Sequence, residues 1–104
     1  VTADIAVSVL RKEGLSHRID IISYYLRPGV FRGIRRGKIL AAPTDSPVIQ
    51  GRTALDQIVR ILEGRDVLRH VGPKLEVIDR ASIQTIDKNA SLVPSGFQAT
   101  FTVN

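Results

Sequence analysis

The sequence predicts an α/β fold, a parallel sheet flanked by helices, and three observations carry that reading. Helical and strand-like stretches alternate from residue 3 to residue 64 with short connections, the order expected of parallel strands joined by right-handed crossovers. Each helical stretch ends on a glycine, Gly14, Gly37 or Gly64, the residue that most readily adopts the left-handed turn closing a helix. Between the helices lie short apolar runs of the kind buried on both faces of a sheet.

Residues 3–13 predict the first helix, with Ile5, Ala6, Val9 and Leu10 as its apolar stripe and Thr2 as a candidate cap. Residues 19–23 (Ile-Asp-Ile-Ile-Ser) predict a short buried strand rich in β-branched residues. Pro28 and Gly29 open a second helix that runs to about Arg36, and residues 38–42 predict a second buried strand. The longest helix begins near Pro47, suited to a first helical position because its missing N–H has no partner there, and Ser46 is the candidate N-cap. Leu55, Ile58, Val59 and Leu62 form its apolar stripe, and Arg52, Asp56, Arg60 and Glu63 its wet face. After Gly72-Pro73 the pattern changes. Residues 75–78 and 83–86 predict strands, 97–103 alternate apolar and polar, and no helix is expected.

Composition narrows the chemistry. With 104 residues and 43% hydrophobic content the chain is at most one domain, with enough apolar material for a core. It has no cysteine, so disulfide frameworks and thiolate metal sites are excluded. His17 and His70 lack ligand-like neighbours and read as surface residues, and no metal or cofactor is expected. Ser23 and Ser46 have no histidine near them in sequence, and no nucleophile-elbow or phosphate-loop pattern occurs. A non-enzymatic role is expected. The net charge is +5, and Arg27, Arg32, Arg35, Arg36 and Lys38 concentrate it; a solvated helix face is the plain reading of that cluster, a partner contact the sharper one.

Ligands of parallel α/β sheets collect beyond the carboxyl ends of the strands, where helix N-termini also point. Two such junctions exist, Tyr24-Tyr25-Leu26-Arg27 and Pro43-Thr44-Asp45-Ser46. Tyr24 and Tyr25 are the two tyrosines of the chain. An aromatic face attracts a quaternary-ammonium-like cation, and Asp45 would supply an acceptor beside it. The alternative is that both rings cover the sheet and Asp45 caps a turn.

The run "YYLRPGVFRGIRRGKILAAPTDSPVIQGR" resembles the type 1 periplasmic binding proteins, with their "G-x-I-x-A" strand (Gly37 to Ala41) and "G-x-x-A" helix (Gly51 to Ala54). Together with the ending "FTVN" it is similar to the TorT family, periplasmic proteins of the trimethylamine-N-oxide (TMAO) reductase regulatory system. The resemblance is specific over 19–64 and weaker in the tail. It implies part of the C-terminal lobe over 1–79, with 80–104 as hinge and tail strands, in a longer two-lobed protein that senses TMAO and signals to the periplasmic domain of a membrane sensor histidine kinase. It carries the ligand-contacting rim position onto Tyr25, with Tyr24 as alternative, and the polar rim position onto Asp45. Sugar-binding members usually have aspartate at the first position, so an aromatic there suits a methylated amine. A sugar-binding transport subunit or a LacI-type effector domain is the competing expectation. Uncovered strand edges lead us to expect that the 104-residue chain self-associates as a homodimer.

Overall fold

A computed structural model describes residues 2–100. Its elements are helix α1 (Thr2–Lys12), helix α2 (Pro28–Arg35), strand β1 (Ala41–Thr44), helix α3 (Pro47–Leu62), strand β2 (Glu76–Asp79), a 3-10 turn (Ser82–Gln84) and the short helix α4 (Lys88–Ser91). Helices and a small sheet alternate as the sequence implies. Among the described residues no helix is long and apolar enough to cross a membrane.

The sheet is mixed. β1 pairs antiparallel with β2, setting Ala42 opposite Ile78 and Thr44 opposite Glu76. The parallel neighbour of β1 is the 19–26 segment, which touches it through a single bridge, Ile22 to Ala41. Ser23 N donates to Ala41 O at 3.0 Å, and the next bond of a parallel ladder would need an N–H from residue 43. Pro43 has none. The strand expected over 19–23 therefore contracts to one bridge, and Ile19 and Ile22 stay exposed. Leu26 N recovers the Pro43 carbonyl at 2.9 Å, so the two segments remain tied beyond the proline.

β1 also lies three residues later than the expected 38–42. The amides of Lys38 and Ile39 both donate to Gly33 O, at 2.8 and 3.3 Å, closing the C-terminal turn of α2. Those N–H groups are spent on the helix, so pairing begins only at Leu40, whose N–H donates to Ile21 O at 2.8 Å, just before β1. Gly37, at φ +65°, makes the reversal.

The core is one cluster: Leu26, Val30, Phe31 and Ile34 from α2 and the loop before it, Ile39 and Ala42 at β1, Ile78 on β2, and Ile83. Gly33 lets Ile39 in, since a Cβ on Gly33 would lie 2.6 Å from Ile39 Cδ1. Ile83 was expected on a strand over 83–86; it enters the core from the 3-10 turn instead. Asp79 explains why, because its Oδ1 accepts from the N–H of Ala81 and of Ser82, both at 2.9 Å, and bends the chain out of β2. The helix α4, also unexpected, starts from Asp87, whose side chain accepts from Asn89 N.

Two expected stripes are corrected. On α1 the side packed to the core is Ala3 and Val7, while Ile5 and Val9 are exposed, and Thr2 lies within the helix. On α3 no residue is buried, and Leu55, Ile58, Val59 and Leu62 are 64%, 52%, 50% and 81% exposed. The stripe has the right period, but among the described residues nothing covers it. The radius of gyration, 17.5 Å, exceeds the roughly 13 Å of a compact domain this long, in keeping with a helix outside the core. Residues 97–100 form no strand, and the rest of the expected tail strand, 101–103, lies outside the described residues.

Candidate ligand site

The two junctions picked from the sequence meet at one rim. Beyond the Ile22 bridge, buried Ser23 uses its hydroxyl on the backbone two residues on: Oγ donates to Tyr25 O at 3.0 Å and accepts from Tyr25 N at 3.4 Å. This small turn lifts Tyr25 off the sheet direction. On the other side, β1 ends at Thr44 and the chain must turn at once into α3, which begins at Pro47.

Thr44 organises that turn. Its buried Oγ1 donates to Ser91 Oγ at 2.9 Å and accepts from Ser46 N at 3.2 Å. Ser46 takes the left-handed conformation, φ 52°, one that a non-glycine residue holds only where its surroundings demand it. The expected side-chain cap is absent: Ser46 contributes its carbonyl to Gln50 N, while its hydroxyl makes no cap. Left-handed backbone turns the side chain away from the orphan amides a capping residue serves. The consequence is the placement of Asp45.

Tyr25 and Asp45 come together. The Tyr25 hydroxyl donates to Asp45 Oδ1 at 3.3 Å, and Gln50 Nε2 donates to Asp45 O at 3.0 Å, so the aspartate is held at side chain and backbone. Burial pushes the Tyr25 phenol above its ordinary value, and the Asp45 charge and hydrogen bond push it further. The unit presents a half-buried ring beside a fixed carboxylate, which can accept from a cationic or hydroxylated ligand.

Tyr24 is 86% exposed, and it shares with Tyr25 the edge of a cavity of about 350 Å³. Ala3 and Ala6 of α1, Ile21, Val30 and Arg27 form other parts of its wall, so it is mostly apolar with a guanidinium at one side. Tyr25 thus has two neighbourhoods, this cavity and the Asp45 carboxylate. Ser23 is buried in its turn, and His17 and His70 are exposed. Among the described residues no group of three or more histidines and carboxylates is placed to hold a metal.

In sequence Thr44 stands out only as a member of its junction, and Gln50 and Ser91 do not stand out. Gln50 lies one turn into α3, at a spacing that reaches back over the helix start, and that signal was available. Ser91 lies 47 residues from Thr44, and nothing local points to it.

The chain as a whole resembles known periplasmic proteins in sequence and in fold. No family model matches the chain. It is 32% identical over 99 residues to periplasmic protein TorT of Escherichia coli K12, an alignment taking in 93% of this chain and 29% of that protein. Among solved structures, an ABC transporter solute binding protein from Bradyrhizobium sp. BTAi1 with bound bis-tris superposes with a TM-score of 0.85 at 50% identity, over 97% of this chain and 30% of that one. TorT in its complex with the TorS sensor domain in the presence of TMAO gives a TM-score of 0.84 at 33% identity, over 96% and 34%. A solute binding protein from Agrobacterium vitis with bound D-fucose gives 0.75 at 14% identity over 88% and 32%, a likeness of fold alone. The chain therefore spans about a third of the length of these relatives. By sequence and by fold it is similar to the TorT-type proteins, and it has the α/β fold of part of a type 1 periplasmic binding protein lobe.

Proposed function

We propose that this chain is part of a periplasmic binding protein that senses a small methylated amine, of the TMAO type, and reports it to the periplasmic domain of a sensor histidine kinase. The observation that carries the reading is the Tyr25–Asp45 unit at the carboxyl ends of the two adjoining segments, where ligands of this architecture collect. A ring face attracts methyl groups next to a positive nitrogen, and the phenol and carboxylate supply polar partners at one edge. The relationship to TorT supports the periplasmic location and the signalling role, since a TorT structure contains the TorS sensor domain. The reading is one of binding and signalling, with no chemical step assigned to the site.

A second reading is the solute receptor of a transporter. The 50% identity to a solute binding protein favours it, and the bis-tris bound there is an amine that also carries hydroxyls. Calorimetry on the full-length protein separates the two. TMAO binding that weakens in Tyr25→Ala, together with retention of a TorS-type sensor domain in a pull-down, is the expected result. Binding of sugars or polyols with no response to TMAO would replace the sensor reading with the transport one.

A further inference from the structure

We propose that a second cleft beside α2, formed by Arg35, Arg80 and Lys88, is a docking site for an acidic, carboxylate-rich segment of a partner protein. The cleft measures about 460 Å³, and Phe31, Ile83 and Gln84 complete its wall. Its three cations come from three parts of the chain: α2, the residue just after β2, and the start of α4. The basic cluster read from the sequence gave only Arg35 of these.

Two of the cations lie close against other parts of the fold. Lys88 Nζ stands 5.4 Å from the centre of the Phe31 ring, and Phe31 is itself buried in the core. The Arg80 guanidinium lies against the Gly37 turn, close enough that a Cβ on Gly37 would be 3.3 Å from Nη1. None of the three is paired with a carboxylate among the described residues. The acidic residues next to them in sequence each turn one carboxylate oxygen to backbone amides instead. Asp79 Oδ1 takes the amides of Ala81 and Ser82, and Asp87 Oδ1 takes that of Asn89.

Three cations gathered in one cleft repel one another, and a partner carboxylate removes that repulsion. The positive surface continues outward along exposed Arg32 and Arg36, one turn apart. It thus offers more charge than one small anion neutralises, spread along a line that suits successive acidic side chains. The cleft has no exposed aromatic ring on which a base would stack, since Phe31 is only 7% exposed. This site is independent of which ligand the Tyr25 rim takes.

The test uses the full-length protein and a fluorescein-labelled octaglutamate peptide, followed by anisotropy at increasing sodium chloride. Binding that falls with salt, and that weakens about tenfold in Arg35→Gln/Arg80→Gln, is expected, because charge-assisted contacts dominate such a site. The same charge change at exposed Arg52 and Arg69, on and after α3, is expected to leave the affinity within about threefold. Lys88→Gln, outside the core, gives a second reading if the double variant melts early. No binding, equal loss in both double variants, or tighter binding to phosphatidylglycerol vesicles or to inorganic phosphate than to the peptide would overturn the proposal. Unchanged TMAO affinity in these variants keeps the outcome separate from that of the ligand site.

Discussion

The Tyr25 hydroxyl and Asp45 Oδ1 meet at 3.3 Å across a sequence gap of 20 residues, joining the end of one sheet segment to the start of α3. Because burial and Asp45 both hold the phenol in its neutral form, its ionisation lies above the ordinary value of 10.0. In Asp45→Asn the charge is gone while the burial stays. We expect the Tyr25 titration, read by ultraviolet absorbance, to move down toward 10.0 without reaching it, and Tyr24 to be unaffected. A group whose folded value is raised stabilises the fold fully below its unfolded value. That contribution is lost as pH rises from about 10 through the folded value. A melting temperature that falls above pH 10 in the native protein, and falls less in Tyr25→Phe, is the matching result.

Asp79 supplies the acid limb. Bonds from the Ser82 amide and hydroxyl, and then from the Ala81 amide, hold its carboxyl below the usual 3.8. A depressed carboxylate stabilises the fold above its unfolded value, and the benefit disappears as pH falls from about 3.8 through the folded value. In Asp79→Asn the acid-side slope of stability below pH 4 should flatten. An unaltered slope would show that the turn after β2 holds without the charge.

Thr44 and Ser91 form the buried polar link that locks the Asp45 turn to α4. Thr44→Val keeps the shape but leaves Ser91 Oγ and Ser46 N without their partner. Buried groups left so cost about 1–3 kcal/mol, and a loss of that size is expected in chemical denaturation. Thr44→Ser, which retains the hydroxyl, should cost less. Equal losses in the two variants would show that the hydroxyl bonds to Ser91 and Ser46 do not set the cost.

That the Tyr24-Tyr25 and Asp45 junctions meet was legible in sequence, because each sits where a sheet segment gives way to the next helix; choosing Tyr25 over Tyr24 rested on the family resemblance. The glycine stops at Gly14, Gly37 and Gly64 were equally legible, and each has positive φ. Pairing was not. Whether 19–23 forms a ladder depends on one N–H that Pro43 lacks, and where β1 begins depends on amides that α2 has already claimed. Likewise the 3.6-residue period on α3 marks Leu55, Ile58, Val59 and Leu62 as one face, but period alone does not say what covers that face. The basic cleft was hidden for the same reason, since Arg80 and Lys88 reach Arg35 only through the fold.

The bare α3 face leads to an expectation about the 104-residue chain by itself. Contiguous apolar side chains exposed to water favour association, so light scattering at high concentration should show a homodimer. Leu55→Lys/Val59→Lys should shift it to monomer. A native chain that remains monomeric at high concentration would remove the self-association reading.

Gly33 offers the sharpest test of the packing that carries β1. Its φ needs no glycine, yet a Cβ there would lie 2.6 Å from Ile39 Cδ1 and 2.9 Å from Cγ1. Ile39 is 2% exposed, so its side chain has little room to withdraw. Alanine would ordinarily stabilise a helix interior by up to about 1 kcal/mol over glycine. Overpacking costs about 1–3 kcal/mol and should win, so Gly33→Ala is expected to lower stability. Restoring space with Ile39→Val in the same chain should recover part of the loss, although Ile39→Val alone costs about 0.5–1.5 kcal/mol. Such a sign reversal in the double variant ties the destabilisation to this one contact, because independent sites would simply add.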